Sequence, residues 1–168
     1  MNEGLIARHN AVVQARDTVW HLGDFSLNER LVPGILARLN GQHHLMPGNH
    51  DRCHPCHKDK AAAGLVRYRG YGFRIDNSVP DIRDLFGDRR VTFGHFPSTD
   101  WADDRYPQYR PRVEDQDIRI HGHVHEKWKI RQAGSCTEVN VGVDVWNWAP
   151  VRLEDLAGFV MKGIRDGI

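Results

Sequence analysis

The sequence predicts a layered α/β protein built on mixed sheets. Three observations carry that expectation. Helical periodicity is concentrated near the amino end, short β-rich runs dominate the second half, and four polar clusters containing glycine each follow a predicted strand. A chain of 168 residues is long enough for one domain with a buried core.

The elements follow in order. Leu5, Ile6, His9, Val12 and Val13 recur at helical spacing and predict a helix over 2–15. "TVWHL" (18–22) reads as a strand ending in Gly23-Asp24. Ser26 can cap a helix running to about Leu39, bent or divided at Pro33. "QHHLM" (42–46) is a second strand, ended by Pro47-Gly48, and a helix covers about 56–66. Strands are predicted at 71–75, 81–86 and 89–96, followed by a polar loop over 97–116. "DIRIHGHVH" runs from a strand into a turn, "TEVNVGVDV" is a further strand, and "RLEDLAGFV" a last short helix. There is no internal repeat, low-complexity tract or linker.

Composition narrows the function classes. A formal charge of +1 gives no broad pull toward nucleic acid or membrane. No run approaches the roughly 20 apolar residues of a membrane span, and "MNEGLIARHN" has no apolar signal core. Three cysteines, an odd count, argue for a reducing compartment, which implies the cytoplasm. The 11 histidines stand out, because many fall in short clusters.

The four clusters are Gly23-Asp24, Gly48-Asn49-His50-Asp51, Gly94-His95 and Gly122-His123-Val124-His125. In layered α/β folds, ligand sites gather at the carboxyl ends of strands. The clusters offer carboxylate, amide oxygen and imidazole donors without a thiolate. Such a set suits manganese, iron or zinc better than a soft metal. His123 and His125 are two apart, so in an extended segment both point to one side. Asp24 can bridge two cations, Asn49 adds an uncharged oxygen, and His50 can donate a proton.

These clusters resemble the ordered motifs of the calcineurin-like metallophosphoesterases. "LGD" (22–24), "GNHD" (48–51), "FGH" (93–95) and "HGHVH" (121–125) match the last four family motifs in order, and "NVGVDV" (140–145) is similar to small single-domain members. The resemblance implies an α/β/β/α sandwich and hydrolysis of phosphomono- or phosphodiesters with two divalent ions. Manganese is the default, with iron, zinc or nickel as alternatives. It implies that Asp24 bridges the ions, that Asn49, His95 and His123 hold one, and that His125 holds the other. His50 would protonate the leaving alkoxide, with Asp51 orienting its ring.

One departure is plain. The family opens with a strand carrying D-x-H, and no such motif precedes Gly23-Asp24. The expectation is a chain truncated at its amino end and missing its first strand. The second metal would then keep only Asp24 and His125, and activity would be reduced. A non-catalytic relative that binds metal or a partner is the competing reading.

Other readings stay open at this level. Arg52 and His54 can touch the substrate, or Arg52 can be a solvated surface residue. The 97–116 loop, with Trp101, Arg105, Tyr106, Arg110 and Arg112, can form a lid or a solvated loop. Cys53-His54-Pro55-Cys56-His57 fits the C-x-x-C-H pattern of haem attachment. However, no export signal accompanies it and no methionine ligand is well placed. A structural zinc there lacks a second ligand pair. His21 reads as a packed residue, His43 and His44 as strand residues, His9 as a helix-face residue, and His121 as a strand histidine or one that supports a ligand from behind.

Overall fold

The computed structural model describes residues 2–76, 78–79, 82–99 and 105–167. The fold is mixed α/β and falls into two compact units, Met1–Asn77 with Trp148–Pro150, and Ser78–Asn147 with Val151–Ile168.

In the first unit, helix α1 (Asn2–Val12) leads to strand β1 (Thr18–His21), which pairs in parallel with β2 (Gln42–Leu45). Ile6 and His9 on α1 are buried, together with Val13 just beyond it, as the helical spacing requires. Between the strands, a 3-10 turn at Glu29–Leu31 runs into helix α2 (Val32–Leu36). The cap of this segment is Asn28, whose side chain accepts the Arg30 N–H, and not the expected Ser26. Pro33 lies in the first turn of α2, where a missing N–H costs nothing.

A 3-10 turn at Pro55–His57 precedes helix α3 (Asp59–Tyr71). The unit's core is Val32, Leu36, Leu45, Cys53, Tyr68, Phe73 and Ile75. The strand expected at 71–75 does not form. Helix α3 continues to Tyr71, Gly72 ends it with φ +116°, and Arg74 makes only an isolated parallel bridge to His44.

In the second unit, strands β3 (Val91–Gly94), β4 (Ile118–His121) and β6 (Cys136–Asn140) are parallel neighbours in that order. Strand β5 (Ile130–Ala133), which the sequence did not signal, adds an antiparallel edge beside β6. The strand expected at 81–86 is instead a helical turn, α4 (Arg83–Phe86). Ile82, Leu85 and Phe86 follow helical rather than alternating spacing, and Phe86 is fully buried. Asp81 lies outside the described residues. The last helix, α5 (Leu153–Asp166), is longer than expected and buries Leu156, Ala157 and Val160. Among the described residues, no helix is long and apolar enough to cross a membrane.

Candidate metal centre

In the first unit, β1 and β2 run parallel and in register, so the turns that follow them leave from the same edge. Gly23 and Asp24 follow β1, and both have positive φ, +93° and +54°. For a non-glycine residue that region is disfavoured and must be held in place by its surroundings. The hold comes from Asp51, which is fully buried. One oxygen of its carboxylate accepts the N–H of Asp24 at 2.7 Å and of Gly48 at 2.9 Å, and the other accepts the N–H of Phe25 at 3.2 Å. His50 returns the link, its backbone N–H donating to Asp24 Oδ1 at 2.8 Å. Burial pushes the Asp51 carboxyl above its ordinary range, and the amide N–H groups of Gly48, Asp24 and Phe25 pull against it.

Asn49 is buried, and its carbonyl receives the His57 ring at 3.0 Å and the Cys56 thiol at 3.6 Å. The haem-like motif thus braces the site turn. Cys53 is 2% exposed, and burial raises its thiol to about 12, an inert state. His54 is buried and its Nδ1 accepts the Cys56 N–H at 3.1 Å. His50 and Arg52 face solvent while Asp51 and Cys53 face inward, an alternation that separates the exposed chemistry from its buried support.

In the second unit, β3 and β4 align Gly94 with His121, so His95 and His123 leave from neighbouring strand ends. The Gly122 N–H donates to the His95 carbonyl at 3.1 Å. His95 Nε2 and His123 Nδ1 lie 3.0 Å apart, their rings at 74°. His123 and His125 both have positive φ, +70° and +52°. Strained backbone thus recurs at predicted ligands in both units. Within this unit His95 and His123 offer two adjacent imidazole donors, and within the first unit Asp24 offers a carboxylate. That chemistry fits a borderline divalent ion.

His125, Glu126 and Asp144 form a second candidate group, with His125 Nδ1 at 3.4 Å from Asp144 Oδ2. Asp144 lies in the "NVGVDV" stretch, where no local pattern marks it as a ligand. Asn140 is a second residue missed. It is fully buried, and its amide donates to the carbonyls of His125 and Trp128, while its Oδ1 accepts the Gly142 N–H. An asparagine ending a strand two residues before a glycine was the available signal.

The segment that carries His95 is built from behind. Arg119 is buried and donates from Nε and Nη2 to the Phe96 carbonyl at 3.0 and 2.9 Å. Burial brings this arginine down to about 10. Its Nη2 would stand 2.5 Å from a Cβ at position 94, so any larger residue there would have to displace the guanidinium from the Phe96 carbonyl. Glu138 is fully buried, accepting the Ser98 N–H at 2.6 Å and Arg131 Nε at 2.7 Å. Burial would raise its pKa, but the Ser98 and Arg131 bonds outweigh that and hold the carboxyl below its usual range.

His121 is the last residue of β4 and is fully buried, with burial taking its pKa down to about 4. The 97–116 loop is partly packed. Tyr106 and Tyr109 lie against Phe96, and Arg110 is buried, whereas Arg105 is exposed. Trp101 lies outside the described residues.

Comparison with known proteins adds relatives. The chain is 31% identical over 146 residues to the Gene 66 protein of Mycobacterium phage L5, spanning 82% of this chain and 70% of that protein. It is 31% identical over 144 residues to the Gene 66 protein of Mycobacterium phage D29, with 80% and 71% covered. Uncharacterized protein MJ1445 of Methanocaldococcus jannaschii is 26% identical over 166 residues, with 97% and 77% covered. The crystal structure of AQ665, a protein of unknown function from Aquifex aeolicus, shares the fold. Its TM-score is 0.63 at 22% identity, over 94% of this chain and 84% of that one. No family model matches the chain.

Proposed function

The chain belongs to the same family as the gene 66 proteins of mycobacteriophages L5 and D29, and from that premise and the site chemistry we propose that it is a metal-dependent phosphoesterase. The observation that carries the reading is the His95–His123 pair, two imidazole nitrogens 3.0 Å apart at the ends of adjacent parallel strands. In this reading Asp24, Asn49, His95 and His123 hold one divalent ion, and Asp24 with His125 holds a second. Manganese is the working choice. The reading carries with it the finer fold, the α/β/β/α metallophosphoesterase sandwich.

When bound, the ions supply Lewis-acid stabilisation of charge developing on the phosphoryl group. The protein supplies the rest. His50, exposed on a turn whose backbone is tied to Asp24, delivers a proton to the leaving alkoxide. Asp51 acts through the backbone, fixing the Asp24 turn and the Gly48–Asp51 turn to each other. The strain at Asp24, His123 and His125 keeps the donors aimed before any ligand arrives.

The test is a titration of the metal-free chain with Mn2+, followed by an assay on bis(p-nitrophenyl) phosphate. The expected result is one tight and one weak site, with Mn2+-dependent hydrolysis. His50→Gln should cut kcat by about 10²–10⁴-fold while metal binding persists. Ion binding without turnover selects the non-catalytic, metal- or partner-binding relative. Absence of both rejects the metal-centred reading.

A further inference from the structure

The first unit holds an open pocket of 410 Å³, lined by Leu27, Asn28, Glu29, Arg30, His50, Arg52, Arg67 and Tyr71. That volume lies within the roughly 300–1,000 Å³ of small-molecule sites. Three guanidiniums face one carboxylate across it. The carboxylate is already committed. Glu29 accepts from Arg67 at 2.6 and 3.2 Å and from the Tyr71 hydroxyl at 3.2 Å. Arg67 and Glu29 thus form a fixed wall, and although Glu29 also attracts Arg52, the described lining residues keep an excess of positive charge carried by Arg30 and Arg52.

The placement of Arg52 is built into the fold. Helix α3 crosses the site turn at Gly64, where a Cβ would lie 2.2 Å from the Arg52 carbonyl oxygen and 2.8 Å from the Cys53 nitrogen. Only glycine allows so close an approach. Asp51 anchors the same turn from inside. His50, the expected proton donor, lines the pocket as well. A neighbouring depression shares Glu29, Arg52 and Arg67 and adds the opposite charges of Asp59 and Lys60, so the excess of positive charge stays on the His50 side.

We propose that this pocket binds a phosphate group on the leaving-group side of the substrate, so that the substrate carries a second phosphate beyond the ester that is cleaved. The chemistry is recognition of a dianion by paired guanidiniums, with Arg30 and Arg52 as the binding residues. The substrate class rests on the phosphoesterase reading, but phosphate binding in the pocket does not.

The test is equilibrium titration of the full chain with adenosine 3′,5′-bisphosphate and with adenosine 5′-monophosphate, with and without Mn2+. The bisphosphate should bind about tenfold more tightly. The double variant Arg30→Gln/Arg52→Gln should reduce that preference to none while its melting curve is unchanged. Arg30→Gln alone should weaken the preference in part. Equal affinity for the two ligands, or a preference that survives the double variant, overturns the proposal. If bisphosphate binding behaves as expected but no ester is cleaved, the catalytic reading fails and the pocket stands.

Discussion

Asp51 and Asp24 each hold the other's turn. The buried Asp51 carboxylate accepts the Asp24 N–H at 2.7 Å, and the residue beside Asp51 donates its N–H to Asp24 Oδ1 at 2.8 Å. Two turns that follow neighbouring strands are thereby locked into one arrangement, with Asp24 at positive φ.

Replacing Asp51 should therefore be among the costliest changes in the first unit. Asp51→Ala leaves the N–H groups of Asp24, Phe25 and Gly48 without their acceptor. Each unsatisfied buried donor costs about 1–3 kcal/mol. The expected loss is several kcal/mol in urea denaturation, with Asp51→Asn milder because its amide oxygen still accepts. A loss below about 1 kcal/mol for the alanine variant would show that the turns do not depend on this carboxylate.

Gly94→Ala tests the support behind His95. The new Cβ would meet Arg119 Nη2 at 2.5 Å, and that nitrogen is tied to the Phe96 carbonyl rather than free to swing aside. Overpacking of this kind costs about 1–3 kcal/mol. The displacement should pass to His95, so Mn2+ affinity should fall together with thermal stability. Unchanged values of both would mean that Arg119 relocates without cost.

Metal binding should be visible as stabilisation. A ligand that binds only the folded chain at about 100 times its Kd adds about 2.7 kcal/mol. Mn2+ should raise the wild-type Tm, and His123→Ala and His95→Ala should each abolish the rise. A shift retained in both variants would place the ion elsewhere.

Acid should destabilise the first unit through its histidines. His21 packs against His43, Phe25 and Phe73, with its Nε2 3.0 Å from His43 Nδ1. Burial and then the neighbouring His43 hold its pKa near 3, and burial lowers His9 and His43 as well. These rings are neutral in the folded chain and take up protons once it unfolds. Their stabilising contribution is complete above the unfolded value near 6.5 and is lost as pH falls from there toward 3. Each fully linked proton gives a slope of about 1.4 kcal/mol per pH unit. His21→Phe should flatten the dependence of ΔG on pH across that window, and an unchanged slope would remove His21 as its source.

Much of the candidate site was legible because its signals are local. Asp24, Asn49, His95, His123 and His125 each sit beside a glycine or just past a strand, and short-range pattern locates them. The strands at 18–22 and 42–46 were readable from β-rich runs bounded by turn residues. The misplaced strands at 71–75 and 81–86 failed because helical continuation of α3 and the burial of Phe86 outweighed short runs of apolar residues.

The sequence by itself determined the donor chemistry, the strand-end positions of the donors and the mixed α/β class. Those depend on residue type and on contacts within a few positions. Only the tertiary structure decided what supports them. Asp51 serves two backbone turns, Arg119 and Glu138 brace the His95 segment, and Asn140 and Asp144 meet His125. It also showed that Cys56 and His57 brace Asn49. Burial and long-range hydrogen bonds join residues as far as 40 positions apart in the Ser98–Glu138 pair and 42 in the Tyr71–Glu29 pair, and no local pattern encodes which polar group will find which partner.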